Sequence, residues 1–224
     1  MNMKGIMFGN YHSWNDFQLI LASKTIGTPS KTIGTPSPKT ETIDIPGGDG
    51  VLDLTEYFGE PKYGNRKLSF EFSSVVIPED FMSLFSVVQD ALHGKKMKII
   101  LDDDPEWQYT GRISVSEWKA DRNIGKLVVD CDCEPYKYQI GTTEIFRSIS
   151  GTSSFTLPNS RKRVVPEVKV TSSSGLTVTF GSGSVWTLSS GSYLLPELEL
   201  VEGDNPVTVT GTGSITFTYT QAKL

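Results

Sequence analysis

The stretch Lys67-Leu68-Ser69-Phe70-Glu71-Phe72-Ser73 alternates polar and apolar side chains. A period of two predicts a strand that is buried on one face only. Over residues 78–93 the apolar side chains recur at helical spacing instead, and Gly94 follows at the position where helices commonly end. Together the two patterns predict an amphipathic helix, residues 78–93, packed against a sheet.

Three more strands are predicted after this helix, and turn-forming residues separate them: Lys96–Leu101, Tyr109–Trp118 and Lys126–Glu134. The third strand places Cys131 and Cys133 on its apolar face. These cysteines are too close together for an ordinary disulfide, and no second cysteine pair completes a thiolate zinc site. Packing in a core is therefore the favoured role for both cysteines.

The composition changes near Glu134-Pro135, which predicts two domains, residues 1–135 and 136–224. The second part is rich in Ser, Thr and Gly and lacks a helical pattern. Many short strands with glycine-containing breaks predict a sandwich or jelly roll. The predicted strands are Glu167–Thr171, Leu176–Phe180, Val185–Leu188, Leu198–Val201, Val207–Thr210 and Ser214–Thr220.

The charge is unevenly distributed along the chain. Residues 1–135 carry 14 basic and 20 acidic side chains, whereas residues 136–224 carry 7 and 6. This balance argues against a broad face for nucleic acid or membrane, and the basic run Arg161–Arg163 is predicted to be a solvated loop or strand entry. No apolar run is long enough for a membrane-spanning helix or a signal peptide, so we expect no membrane insertion and a product kept in a cytoplasm.

A heptad is duplicated in tandem near the N-terminus. Residues Lys24–Ser30 read Lys-Thr-Ile-Gly-Thr-Pro-Ser, and Lys31–Ser37 repeat them before Pro38. Glycine and proline in each copy exclude a helix and predict a surface loop or hairpin tip. A tolerated duplication is favoured over a dedicated contact arm, because insertions in loops cost little closure entropy.

No catalytic, cofactor-binding or metal-binding residue is predicted. Neither His12 nor His93 has a metal ligand at the usual spacing. The acidic cluster Asp102–Asp104 with Glu106 could attract calcium, but it lacks the glycine and distal glutamate of a calcium loop. Gly47–Gly50 lacks the Lys-Ser or Lys-Thr of a phosphate loop and predicts a turn. An enzyme is not expected.

Aromatic side chains provide the main alternative. Trp107 and Tyr109 would share one face of a strand, and Trp118 lies further along. Such platforms occur in carbohydrate-binding modules, which would contact the host cell wall. Aromatic residues at the edge of a sandwich more often cap a core or fill a subunit interface.

The order of segments carries further information. Residues 44–55 read Asp-Ile-Pro-Gly-Gly-Asp-Gly-Val-Leu-Asp-Leu-Thr, and Tyr63-Gly64-Asn65-Arg66 leads into the alternating strand. Near the C-terminus come Gly203–Pro206, a predicted turn at Gly211–Gly213 and a closing strand through Tyr219. In this order, over essentially the whole chain, the sequence resembles the distal tail protein family of siphophage-type tails.

The resemblance implies a mostly β fold with an N-terminal β-sandwich, one packed α-helix and a C-terminal galectin-like β-sandwich. It also implies a non-enzymatic virion subunit, assembled in the bacterial host cytoplasm as a homo-hexamer. The ring would join the tail tube protein to the tail-tip hub protein and leave a channel for DNA. Two features depart from the family: the heptad duplication precedes Asp44, and no inserted carbohydrate-binding domain is present. Direct host recognition is therefore less expected, although a weak glycan contact by the C-terminal domain stays open. A tail tube subunit is a third possibility, but it would not need the second domain.

Overall fold

A computed structural model describes residues 5–22, 30–57, 59–74, 80–121, 124–172, 174–181 and 183–224. The chain divides into two compact units, Met1–Lys137 and Tyr138–Leu224. Strands predominate in both units, and the described part of the chain contains one α-helix, α1 (Phe81–Leu92). The mostly β class with a single helix in the first unit is the class predicted from the sequence.

The first unit is built on one antiparallel sheet. Its strands are β1 (Ile6–Phe8), β2 (Tyr11–His12), β3 (Leu19–Leu21), β4 (Lys31–Ile33), β7 (Arg66–Ser74), β8 (Lys96–Leu101), β9 (Trp107–Asp121) and β10 (Ile124–Cys133). The spatial order is β2-β1-β8-β9-β10-β7, and β3 and β4 both pair with the outer edge of β7. A separate hairpin consists of β5 (Thr42–Asp44) and β6 (Val51–Asp53).

The alternation in β7 builds the core of this unit. Phe70 and Phe72 are fully buried, and their rings meet the ring of Phe8 at centroid distances of 5.9 and 6.3 Å. Strands β8, β9 and β10 separate β1 from β7 in the sheet. The ring contacts between β1 and β7 therefore require the sheet to curl, so that these two strands face each other across the core. Each buried phenylalanine contributes roughly 1.5–3 kcal/mol of hydrophobic free energy.

Helix α1 covers this core. Phe81, Val88 and Leu92 are buried on its inner face, as the helical spacing predicts. The helix begins at Phe81 and ends at Leu92, so it is shorter than the predicted 78–93; residues 75–79 lie outside the described part. His93 is already extended, and its ring Nδ1 accepts a hydrogen bond from the Val115 amide at 3.1 Å. This bond ties the end of the helix to β9.

The second copy of the heptad is not the loop that the sequence predicts. Its residues Lys31–Ile33 form β4 and pair with Leu68–Phe70 of β7. The edge of β7 offers backbone groups that need hydrogen-bond partners, and the repeat supplies them despite its glycine and proline. Lys31 also forms an ion pair with Asp103. Residues 23–29, which include most of the first copy, lie outside the described residues.

The second unit is organised around one long strand. Strand β11 (Lys137–Gln139) lies at the boundary between the units, followed by β12 (Thr143–Asn159), β13 (Glu167–Thr171), β14 (Leu176–Phe180), β15 (Ser184–Leu188), β16 (Gly191–Leu194), β17 (Gly203–Tyr219) and β18 (Ala222–Lys223). Strand β17 pairs with β12 along its whole length. On its other side it pairs first with β14 and then with β13, and β15 and β16 lie outside these two strands.

Two predictions for this unit are wrong, and one long strand was missed. The predicted turn at Gly211–Gly213 is the middle of β17, so the two strands predicted on either side are one. Strand β12 was not predicted at all, and Leu198–Val201 contributes only an isolated bridge between Leu200 and Val164. The buried residues of β13 and β14 belong to one core, so the two halves of β17 face each other across it. The glycines therefore form a corner within a strand.

Candidate functional site

The hairpin β5–β6 has no partner sheet in the described part of the chain and is the main candidate for an assembly surface. Ile43 lies opposite Leu52, and Asp44 lies opposite Val51. The connection contains the predicted turn at Gly47–Gly50, where the Gly48 amide donates to the Ile45 carbonyl at 3.1 Å. Hereafter we call residues 40–61 the arm.

The arm exposes apolar side chains that a two-stranded ribbon cannot bury by itself. Ile43, Ile45, Val51 and Leu52 are 56%, 46%, 54% and 51% exposed. Isolated hairpins are marginally stable in water, and clustered exposed apolar residues commonly mark a protein contact. The apolar residues of the arm were part of the motif noted in the sequence, but only the structure shows that nothing within the described residues of this unit covers them.

The arm is also strongly acidic. It contains six carboxylates, at Glu41, Asp44, Asp49, Asp53, Glu56 and Glu60, and no Lys or Arg. The rest of residues 1–135 is balanced, with 14 basic and 14 acidic side chains. The acidity noted for the first part of the sequence is therefore concentrated in this one element. A surface that binds the arm would need to be apolar and to tolerate or attract negative charge.

The base of the arm is held by backbone hydrogen bonds. The Leu54 amide donates to the Glu41 carbonyl at 2.8 Å, and the Lys39 amide donates to the Lys62 carbonyl at 2.7 Å. Thr55 donates hydrogen bonds from its side chain and its backbone amide to Asp53, which lowers the pKa of that carboxyl group. The two ends of the arm are thus fixed to each other, and the residues of its two strands are exposed.

Arg66, the last residue of the motif Tyr63–Arg66, is buried and holds separate segments of the first unit together. Its side chain is only 5% exposed. Its Nε donates to the Gly34 carbonyl at 2.9 Å, one terminal nitrogen donates to the Pro135 carbonyl at 3.3 Å, and the guanidinium lies 5.3 Å from the ring centre of Tyr109. Arg66 therefore joins the segment after β4, the end of the first unit and β9.

The acidic cluster at Asp102–Asp104 forms a set of tertiary contacts. Asp102 accepts a hydrogen bond from the Gly5 amide at 2.7 Å and lies 3.1 Å from His12 Nε2. Asp103 pairs with Lys31, and Asp104 pairs with Lys137. Each carboxylate has its own positively charged or hydrogen-bonding partner. Among the described residues, no group of three or more His, Cys, Asp or Glu side chains could hold a metal ion.

The two histidines make hydrogen bonds that hold the backbone. His12 Nδ1 accepts from the amides of Trp14 and Asn15, each at 3.2 Å, so its ring orders the turn after β2. His93 Nδ1 accepts from Val115, as described for the helix end. A groove of about 590 Å³ beside His93 is lined by charges of both signs, including Lys67, Arg112 and Asp132. Ser114 and Cys131 also line this groove, but the hydrogen bond of His93 Nδ1 goes to the Val115 amide rather than to either side chain.

Both cysteines lie in the core, as predicted. Burial, followed by the charges of neighbouring acidic groups, raises the pKa of Cys133 to about 12 and raises that of Cys131 further. Because both thiols have a higher pKa in the folded chain than in the unfolded chain, the unfolded chain loses these protons first as the pH rises. The contribution of the two thiols to stability is therefore fully present below the ordinary thiol pKa, and it is lost as the pH rises toward their pKa in the folded chain. We therefore expect the first unit to lose stability progressively between about pH 9 and pH 12.

This prediction is tested by chemical denaturation at several alkaline pH values. The variant with Cys131→Ala and Cys133→Ala is the control, and its stability should fall less over the same interval. At pH 8 the native thiols should react with a thiol reagent at least about 100-fold more slowly than in denaturant, because the thiolate forms only after opening. Equal rates in the two conditions would contradict the prediction.

The aromatic residues that suggested a sugar-binding platform are packed. Trp107 and Tyr109 are buried, and Lys137 lies 5.5 Å from the ring centre of Trp107. Trp118 stacks on Phe85 at 5.3 Å between ring centres. Tyr109 belongs to the core of the first unit and Trp118 packs against it, so the three rings do not form an exposed platform.

In the second unit, the basic run and the block Gly203–Pro206 both form contacts within that unit. The basic run Arg161–Arg163 is an exposed loop, and its two arginines pair with Glu202 and Glu199. In the block Gly203–Pro206, the buried Asn205 side chain donates to the carbonyls of Leu157 and Val201. The described residues contain no helix long and apolar enough to cross a membrane.

No protein-family model matches the chain, and no curated protein matches it. Among solved structures, the chain is similar to the Dit protein (gp 19.1) of phage SPP1. The TM-score is 0.67 at 15% sequence identity, and the match covers 98% of this chain and 99% of the Dit chain. That protein is described as a paradigm of the hub adsorption apparatus in phages that infect Gram-positive bacteria. The fold is therefore shared over nearly the full length of both chains, in agreement with the resemblance noted in the sequence.

Proposed function

We propose that this chain is a structural, non-enzymatic subunit of a bacteriophage tail tip. The support is the fold shared with a phage hub protein over almost all of both chains, together with the segment order that resembles the distal tail family. In this proposal six copies form a closed ring between the tail tube protein and the tail-tip hub protein. The ring would leave a channel for DNA and would be assembled in the host cytoplasm before it becomes part of the virion.

The single observation that carries the ring is the exposed arm. A closed cyclic ring uses a heterologous interface, in which each subunit contributes one surface and receives a different one. The arm has the properties of the contributed surface, since among the described residues it pairs with no other sheet and it carries uncovered apolar residues. Covering four roughly half-exposed aliphatic side chains would contribute about 1 kcal/mol each, and closure repeats this contact at every interface.

The acidic charge adds to this proposal. Since the excess negative charge of residues 1–135 lies in the arm, the arm can be placed toward the channel or against a neighbour without creating a surface that binds DNA. A channel that lets a genome pass must not hold it. A lumen lined mainly with Lys and Arg in an assembled ring would contradict this part of the proposal.

The ring predicts a measurable change when the arm loses its apolar side chains. The unmodified chain of 24.7 kDa should give a particle of about 148 kDa in light scattering after size exclusion. The variant with Ile43→Asp and Leu52→Asp should elute as a monomer with an unchanged circular dichroism spectrum, because both residues are exposed and outside the core.

A matched control lies in the second unit, where Val185 and Leu194 are exposed to 57% and 70%. The variant with Val185→Asp and Leu194→Asp should keep the hexameric mass. The proposal fails if the arm variant still forms the ring. It also fails if the unmodified chain stays monomeric at high concentration both alone and with its tail neighbours.

A carbohydrate-binding module is less well supported, because the tryptophan and tyrosine that suggested it are buried. Trp186 of the second unit is also half-buried and packs against the core of that unit. A weak glycan contact would need another surface. Binding of the full chain to a glycan array, with no ring in solution, would favour this alternative.

A further inference from the structure

The exposed face of helix α1 carries almost no charge. Among the 12 residues of the helix, Asp90 is the one charged residue, and Met82 and Val87 are 64% and 54% exposed. The solvent face of an amphipathic helix normally carries charged and strongly polar side chains. A helix face that lacks them and exposes large apolar side chains has the composition of a surface that is covered by another protein.

The exposed apolar side chains of α1 lie in one patch. Residues three and four positions apart are neighbours on a helix, so Met82, Ser83, Ser86 and Val87 adjoin one another. The Ser86 hydroxyl donates to the Met82 carbonyl at 3.0 Å, so its hydrogen bond is made within the helix. Hereafter we call these four residues the helix patch. Outside the arm, no other large apolar side chain in the described part of the first unit is more than half exposed.

The surroundings of the helix patch are basic. Residues 81–98 contain one acidic side chain and three lysines, which gives a net charge of +2. Lys95 Nζ donates to the carbonyls of Asp90 and Ala91 at 2.7 and 2.9 Å, so one of these lysines lies at the C-terminal end of the helix. Arg112 of β9 donates to the Gly94 carbonyl at the same end. The helix patch therefore combines exposed apolar side chains with positive charge nearby.

The hairpin of the arm has complementary properties, and they are divided between its two faces. Ile43 lies directly opposite Leu52, so these two side chains share one face of the ribbon. Asp44 lies opposite Val51, and Asp53 is on this second face as well. The first face is apolar, and the ribbon as a whole is strongly acidic. Such a ribbon fits an uncharged apolar surface that has basic side chains around it.

We propose that the helix patch is the surface that receives the arm of a second copy of this chain. The inference rests on the proposed function, because it names the partner of the arm in the ring. The arm and the helix patch are different surfaces of one chain, as a heterologous interface requires. Within one chain the hairpin pairs with no other sheet among the described residues, and its apolar side chains are exposed. The occupant of the helix patch is therefore the arm of another copy.

The sign of a charge at Met82 tests the electrostatic part of the proposal. Glutamate and lysine are similar in length and in helix propensity, so Met82→Glu and Met82→Lys remove the same apolar contact. Glutamate would repel the acidic arm, and lysine would attract it. We expect Met82→Glu to raise the chain concentration at half-assembly at least about tenfold, and Met82→Lys to raise it less than about threefold.

This comparison separates assembly from folding. Met82 lies in the first turn of α1, where the helix dipole favours glutamate over lysine. A loss of folding would therefore be larger for Met82→Lys, which is opposite to the order expected for assembly. Light scattering after size exclusion over a dilution series measures the half-assembly concentration. Equal effects of the two variants, or a larger effect of Met82→Lys, would overturn the charge complementarity.

Val87 and Val185 provide a matched pair for the apolar part of the proposal. They are the same residue type and are 54% and 57% exposed, on α1 and on the second unit. Val87→Glu should raise the half-assembly concentration at least about tenfold, and Val185→Glu should leave it within about twofold. Glutamate has a higher helix propensity than valine, so Val87→Glu does not weaken the helix. Equal concentrations for the two variants would contradict a role of the helix patch.

Cross-linking identifies the partner directly. The variant with Ile45→Cys and Ser86→Cys carries one thiol on the arm and one in the helix patch, and both native residues are exposed. With a short bifunctional maleimide we expect a ladder of covalent species up to six chains on a denaturing gel. The variant with Ile45→Cys and Val185→Cys is the control and should give no ladder. The native cysteines are buried and should react slowly.

The outcomes distinguish this inference from the proposed function. A particle of about 148 kDa without a ladder overturns the helix patch as the receiving surface and leaves the ring intact. A ladder without a closed particle of six chains supports the helix patch and overturns the hexameric ring. A monomer that is cross-linked within itself overturns both.

Discussion

Arg66→Met is expected to lower the free energy of unfolding of the first unit by about 3 kcal/mol. The substitution removes a buried cation that donates to the Gly34 and Pro135 carbonyls, and it leaves these acceptors without their donor. It also removes the contact between the guanidinium and the Tyr109 ring. Chemical denaturation measures the loss in the free energy of unfolding. Hydrogen exchange of the β7 and β9 amides then shows whether these two strands are destabilised.

Arg112→Met is the matched control. Arg112 is exposed and donates one hydrogen bond, to the Gly94 carbonyl at 2.5 Å, so its loss should cost less than about 1 kcal/mol. Arg66→Lys should recover little of the stability, because an ammonium group cannot reach the two carbonyls and the ring with the geometry of a guanidinium. Similar losses for Arg66→Met and Arg112→Met would show that Arg66 does not have the structural role assigned to it.

Gly213→Ala should destabilise the second unit by about 3 kcal/mol or more. The glycine lies in the corner of β17 at φ +154°, and a Cβ atom there would lie 2.5 Å from the Thr171 carbonyl oxygen and 2.7 Å from Ser172 Cβ. Both contacts are shorter than a carbon atom tolerates. The pairing of β17 with β13 must therefore shift to admit the methyl group.

Gly141→Ala separates this clash from backbone strain alone. Gly141 has φ +85°, but a Cβ atom would meet nothing within 4 Å. We expect a cost of about 1 kcal/mol at this position, since only the left-handed backbone is penalised. Denaturation midpoints and the hydrogen exchange of β12 and β17 amides compare the two variants. A loss at Gly213 no larger than at Gly141 would show that the corner is not crowded.

Different physical reasons explain why some elements were predicted and others were not. Strand β7, helix α1 and strand β10 bury one face each, and their side-chain periods show it directly. Strand β12 has this period only at its two ends, where the burial of its residues alternates. In its middle, residues 146–152, only Ile149 is buried, so this part of the strand depends on its pairing with β17, whose paired residues begin at Gly203 and end at Tyr219.

In two cases, residues with the composition of a turn or a loop form part of a strand. Glycines at 211 and 213 favour a turn locally, yet the structure uses them where β17 passes between its two partners. The second heptad copy has the composition of a loop, yet β7 offers it an edge. In both cases the deciding interaction joins residues far apart in sequence, and no local pattern records it.

The strand Lys67–Ser73, the helix after it, the turn in the arm and the burial of both cysteines follow from the sequence by itself, because side-chain spacing and turn chemistry are local properties. The tertiary structure alone decided that the arm is left uncovered in the described part of its unit, that Arg66 is buried, and that one repeat copy is a strand. Each of these depends on which groups from distant parts of the chain lie opposite one another. Glu71 shows this most directly, because its two backbone groups bind residues 22 and 30.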